Sequence, residues 1–304
     1  MSIPQISFDE GEKILDWLKL TDALAAAHEL PRAEIGDTFL YRRDDTLLTR
    51  SAWIDGLGVA VKAATIFPGN KAQGLPAVNG AVNLMSDSTG QLEAIVDFHL
   101  VTKWKTAGDS LLAARRLARP DSRVILIVGA GTVAASLREA YGAAFPNAEF
   151  LVWNRTPAGA EALAARYPGI EVVADLAEAV GRADIVTCAT MSTEPVLKGE
   201  WLRAGQHVDL IGAYRPDMRE ADDTALERAR IFVDSFDTTV GHIGEIQIPL
   251  DSGAITRDDL VADYYGLKDF IRAPEDITLF KNGGGAHLDL MVSRYIFDAW
   301  RAAQ

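Results

Sequence analysis

The stretch that most constrains this chain runs from Arg123 to Arg155, RVILIVGAGTVAASLREAYGAAFPNAEFLVWNR. Val124 to Val128 is an unbroken aliphatic and β-branched run, the pattern of a strand buried on both faces. It passes directly into Gly129-Ala130-Gly131-Thr132-Val133-Ala134, and a second apolar run, Ala148 to Trp153, follows after a helix-length segment. The order is therefore strand, glycine turn, helix, strand. Gly129 permits the tight turn, Gly131 lets backbone approach a pyrophosphate, and small Ala134 lets the helix close on the strand. The free N–H groups and dipole of the helix start suit an anion, so Gly129, Gly131, Thr132 and Val133 are predicted to cradle the phosphates of a dinucleotide.

Around this stretch the chain is long for one core, 304 residues, and two domains are expected. Its 30 basic and 43 acidic residues leave a formal charge of −13. That balance argues against nucleic acid or an acidic membrane surface as a partner. One cysteine, Cys188, rules out an internal disulfide, and its apolar setting, Ile185 to Ala189, reads as burial rather than nucleophilic use. The start, MSIPQISFDEGEK, lacks a basic segment followed by an apolar stretch, and no run of about 18 apolar residues occurs. A cytoplasmic protein is expected.

In chain order, apolar residues from Asp9 to His28 recur at helical spacing, predicting one or two amphipathic helices. Thr38 to Leu48 alternates as a hairpin with Asp44-Asp45 as its turn. Gly58–Phe67, Gly80–Ser86 and Leu92–Asp97 read as further strands of a mostly antiparallel sheet, with the loop from Pro68 through Asn70 to Pro76 between the first two. From Leu100 the period turns helical, with Thr106 to Ala118 as the main helix and Pro120-Asp121 ending it. Beyond that point strands at 171–173, 184–189, 207–211, 231–233 and 277–281 alternate with helices, the rhythm of a doubly wound parallel sheet. Gly283-Gly284-Gly285 opens a last helix over 286–303. The predicted architecture is α/β: a dinucleotide-binding domain over 120–285, and an α+β domain built from 1–119 and 286–304.

Lys62 sits in the middle of the apolar strand VAVKAATIF. Burying a lysine requires a carboxylate beside it, supplied either by the protein or by a substrate, unless the side chain faces solvent. Arg50 and Lys105 are further cations near apolar segments, and the three together can converge on an acid-bearing small molecule or be scattered surface charges. Thr106, read as lying near a helix start, is placed to cap the helix or to contact a phosphate. Thr190, Ala213 and Tyr214 close two strands of the parallel sheet, where the nicotinamide and substrate of such folds lie, and Tyr214 is placed either to donate a proton or to pack. No two histidines have metal-ligand spacing, and no metal is expected. After the second strand the chain offers Asn154, Arg155 and Thr156 in place of an acidic residue. A neutral donor beside a cation favours NADP(H), with NAD(H) the alternative.

The segments VKAATIFPGN, KAQGLPAVNGAVNLMSDSTG, VTKWKTAGDSLLAARRLAR, GAGTVA, WNRT, GEWLRAGQHVDLIGAYRPDMREADD and ITLFKNGGG together resemble the ornithine cyclodeaminase and mu-crystallin family nearly end to end. The resemblance implies a homodimer whose amino-terminal segment and last helix form the dimerisation and substrate domain. It assigns Lys62 to the substrate carboxylate and to polarising the reacting carbon–nitrogen bond. Lys105 falls where the family carries an arginine contacting the carboxylate; it keeps the charge without the bidentate fork. Asn70 falls in the substrate-binding loop. Arg50 replaces a common methionine and implies a second anionic group on the substrate. Gly212-Ala213-Tyr214 lacks the aspartate of true ornithine cyclodeaminases, as does the mu-crystallin branch.

The expected function is NAD(P)H-dependent reduction of a small α-imino acid, a cyclic ketimine or iminosuccinate, or the reverse amino acid dehydrogenation, with Lys62 and Tyr214 as catalytic residues. The alternatives are an ornithine cyclodeaminase-type lyase with recycled NAD and a non-catalytic NADPH-binding protein.

Overall fold

The computed structural model describes residues 3–304. The chain divides into two compact units, Met1–Lys105 with Gly285–Gln304, and Thr106–Gly284. The division falls between Lys105 and Thr106, inside a helix, rather than after it at residue 119.

The first unit opens with β1 (Gln5–Ile6), α1 (Phe8–Glu12) and α2 (Trp17–Ala27), followed by β2 (Glu34–Arg42), β3 (Asp45–Ile54), β4 (Gly58–Ile66), β5 (Val78–Met85) and β6 (Leu92–Asp97). The sheet order is β1-β6-β5-β4-β3-β2, antiparallel except for β1, which runs parallel to β6. The β2–β3 turn is Arg43-Asp44, one residue earlier than expected, with Arg43 in the left-handed region at φ 56°. The shift has a local cause: Asp45 pairs in register with Arg42 and ion-pairs with it at 2.9 Å, which commits Asp45 to the strand. Burial alternates strictly along β4, placing Lys62 on the same buried face as Ala60 and Ala64. The C-terminal helix, Ala286–Ala302, packs across β3 and β4 and against α2, burying Leu288, Leu290, Met291, Val292, Ile296 and Phe297. Each such side chain contributes about 1.5–3 kcal/mol to holding helix on sheet.

Helix α3 spans Phe98–Leu117. Asp97 caps it, its Oδ1 accepting the Leu100 N–H at 2.9 Å. The helix therefore begins eight residues before Thr106, which lies half-buried at mid-helix and so does not cap it.

The second unit continues with β7 (Val124–Val128), α4 (Thr132–Ala144), β8 (Glu149–Trp153), α5 (Pro157–Arg166), β9 (Ile170–Val172), α6 (Leu176–Arg182), β10 (Ile185–Cys188), β11 (His207–Leu210), α7 (Asp223–Glu227), β12 (Arg230–Val233), α8 (Phe236–Thr239), α9 (Gly244–Ser252), β13 (Leu260–Ala262) and β14 (Thr278–Lys281). All eight strands are parallel, in the order β13-β12-β14-β11-β10-β7-β8-β9. β13, absent from the sequence reading, is three residues long and too short to carry a period. The chain winds from β7 through β8 to β9 and then returns to the other side of β7 at β10, so the order reverses beside the glycine turn, where doubly wound sheets bind ligands. Cys188 is buried in β10, and burial pushes its thiol well above its ordinary pKa. Among the described residues no helix is long and apolar enough to cross a membrane.

Candidate active site

The first unit carries a buried cluster of charge. Lys62, inward on β4, donates to Asp289 Oδ1 at 3.0 Å and to Thr102 Oγ1 at 3.1 Å, and its ammonium lies 4.6 Å from the Phe98 ring centre. Lys105 Nζ reaches the same oxygen, Asp289 Oδ1, also at 3.0 Å. The lysine side chains are 7% exposed and that of Asp289 2%. Burial drives the Asp289 carboxyl towards its neutral form, but the fields of Lys105, Lys62 and Arg50 outweigh it and hold its pKa at about 2. Burial lowers Lys105 to about 8, with Asp289 opposing and Lys62 and Arg50 adding to the fall. His287, two residues before Asp289 on the C-terminal helix, is driven by burial and by Lys105 to about 3 and is neutral.

Arg50 stands opposite Lys62 in the β3–β4 register. Its guanidinium is engaged by Asp37 on β2, Nε at 3.1 Å from both carboxylate oxygens and one Nη at 2.9 Å. Asn70 is half-buried, and its side chain donates to the Pro76 carbonyl at 2.9 Å, holding the loop after β4 closed on itself.

The second unit carries the cradle. Gly129 has φ 109°, and a Cβ there would stand 2.8 Å from the Ala189 carbonyl oxygen, so the turn after β7 excludes any side chain. Gly131 is the N-cap of α4 and supplies no side-chain cap, and nothing lies within 4 Å of where its Cβ would be. Gly131 and Thr132 are exposed and Ala134 is buried. An uncapped, unobstructed helix start of this kind fits a pyrophosphate. Beyond β8, Asn154 donates to the Thr156 carbonyl at 2.8 Å, Arg155 is exposed without an ion pair among the described residues, and the Thr156 hydroxyl does not cap α5.

The loops after β10 and β11 differ from expectation in one respect. The Thr190 backbone N–H and hydroxyl are both given to Glu220 Oε1, at 2.6 and 2.8 Å, so its side chain is already engaged. Ala213 is fully buried against Met218 and Ile243, which leaves only its backbone for a ligand. Tyr214 is 58% exposed, with the Arg215 guanidinium 5.8 Å over its ring.

The sequence model of the ornithine cyclodeaminase/mu-crystallin family matches residues 51–304. The chain belongs to that family. A Δ(1)-pyrroline-2-carboxylate reductase of Paracoccus denitrificans is 51% identical over 308 residues, covering 97% of this chain and 96% of that protein. Among solved structures, Thermococcus litoralis Δ(1)-pyrroline-2-carboxylate reductase in complex with NADH and L-proline superposes with a TM-score of 0.89 at 26% identity, covering 99% of this chain and 98% of the other. An archaeal alanine dehydrogenase dimer with bound NAD does so with a TM-score of 0.88 at 28% identity over 100% and 97%.

Within this ornithine cyclodeaminase/mu-crystallin chain, Arg50, Lys62 and Lys105 do gather in one unit, and the glycine turn and Asn154-Arg155-Thr156 gather in the other. Two residues of the site escaped sequence reasoning. Asp289 is 227 positions from Lys62, and its only signal was the demand of a buried lysine for a carboxylate. Glu220, in a run of mixed charges after Tyr214, had none.

Proposed function

We propose that this protein reduces a cyclic α-ketimine monocarboxylate of the pyrroline-2-carboxylate type to the L-amino acid, using NADPH in preference to NADH. The observation that carries the reading is the pair of buried lysines sharing one oxygen of Asp289. Two positive charges against one negative leave a single net charge, which suits one substrate carboxylate. Arg50 is offset by Asp37, and this argues for a monocarboxylate over iminosuccinate, since a second carboxylate would have to compete with Asp37.

When bound, the reduced nicotinamide would supply hydride to the carbon of the C=N bond of the substrate's protonated, iminium form, so that the nitrogen already carries the proton the amine product needs. Lys62 and Lys105 orient the substrate through its carboxylate and withdraw electron density from the adjacent carbon, making it a better hydride acceptor. The turn at Gly129–Val133 holds the pyrophosphate, and Arg155 the 2′-phosphate. Support for the substrate class comes from the Paracoccus reductase and from the proline complex of the Thermococcus enzyme. We further propose a homodimer through β2, an edge strand whose nine residues are all exposed and which presents Phe39, Leu40 and Tyr41. A long apolar strand edge of this kind calls for a partner, and the archaeal alanine dehydrogenase is a dimer.

The test is a panel of pyrroline-2-carboxylate, piperideine-2-carboxylate, iminosuccinate and ornithine with NADPH and NADH. Oxidation of NADPH with the cyclic ketimines is expected. Ammonia release from ornithine with no nicotinamide consumed, or turnover confined to iminosuccinate, would refute the proposal.

A further inference from the structure

Glu220 is fully buried and accepts three hydrogen bonds from two different loops. Its Oε1 takes the Thr190 N–H and hydroxyl, and its Oε2 takes the Gly212 N–H at 2.6 Å. Thr190 is the second residue beyond β10 and Gly212 the second beyond β11, neighbouring parallel strands. The two backbones are pressed together, since a Cβ on Gly212 would stand 1.7 Å from the Thr190 carbonyl oxygen. Glu220 is in turn anchored by Glu245, also fully buried, which accepts the N–H groups of Glu220 at 2.6 Å and Ala221 at 3.0 Å. One carboxylate thus fastens the carboxyl ends of two adjacent strands, the edge on which a doubly wound sheet receives its ligand.

We infer that Glu220 is a positioning residue for the nicotinamide half of the cofactor, holding the Thr190 and Gly212 loops at the spacing that half requires. The inference rests on the dinucleotide reading of the cradle and not on the identity of the imine. The adenosine half falls to a different set of residues, Gly129–Val133 and Asn154–Thr156, none of which is bonded to Glu220. This separation makes the role measurable.

In Glu220→Gln the amide nitrogen confronts a backbone donor, so one loop loses its acceptor. Affinity for NADPH is expected to fall about 10-fold or more, while that for 2′-phospho-ADP-ribose, which lacks the nicotinamide, stays within about 2-fold. Glu220→Asp keeps both carboxyl oxygens as acceptors at a shorter reach and should recover part of the loss. In the wild type, hydrogen exchange at Thr190 and Gly212 should slow further with NADPH and not with the fragment. A merely structural Glu220 would weaken both ligands equally in the variants, and equal protection by both ligands in the wild type would likewise overturn the inference. If the wild type binds NADPH but reduces no imine, the substrate reading fails and the binding comparison still decides this one. If it binds no dinucleotide, both fall.

Discussion

Replacing Asp289 with Asn should convert the lysine cluster into a site that works only in acid. Lys105 sits at about 8 because burial lowers it while Asp289, 3.0 Å away, holds it up. Removing a neighbouring opposite charge lowers a lysine by about one to three pH units, which takes Lys105 to between about 5 and 7. The charges that remain, Lys62 and Arg50, both press in the same direction, and His287 is neutral. At pH 7.5 roughly three-quarters of the wild-type Lys105 is protonated, against roughly 3% at a variant pKa of about 6, so affinity for a carboxylate falls about 25-fold. At pH 5.5 both forms are largely protonated, and the variant should bind at least as well, because Lys62 no longer shares its charge with Asp289. The assay is calorimetric binding of pyrrole-2-carboxylate at saturating NADP+ from pH 5.5 to 8.5, since the ring nitrogen of that ligand does not titrate in the range. Parallel curves for the two proteins, with the alkaline limb at the same pH, would refute the counter-ion reasoning.

Two further outcomes follow from the same geometry. Arg155→Ala should raise KM for NADPH about 10- to 100-fold and leave NADH within about 2-fold, because only the 2′-phosphate loses a charge-assisted contact; steady-state kinetics with both cofactors checks this, and equal losses would mean that Arg155 lies over the adenine instead. Leu40→Lys combined with Tyr41→Asp should give a monomer by light scattering, since both side chains are exposed on the free edge of the six-stranded sheet. A double variant that elutes with the mass of the wild type would remove β2 as the interface.

The strand–turn–helix at Val124–Ala144 was legible in the sequence because every part of it is local. A five-residue apolar run, two glycines and a helical period lie within about twenty positions and need no partner to be recognised. For β4 the strand itself was legible but not the face of Lys62, since VAVKAATIF is apolar on both phases and only the folded sheet sets Lys62 on the buried side with Ala60 and Ala64. The start of helix α3 is hidden in the sequence because its first turn, Phe98-His99-Leu100-Val101, follows an apolar strand with only the Asp97 cap to mark the change. The three cations were visible individually, but their sum was not. The sequence by itself determined a dinucleotide fold and a set of basic residues in apolar settings. Tertiary structure alone decided that Lys62 and Lys105 share Asp289, that Asp37 occupies Arg50, and that Glu220 fastens Thr190 to Gly212. Local periodicity records which elements form; the net charge a side chain meets on them depends on residues that only folding brings within 3 Å.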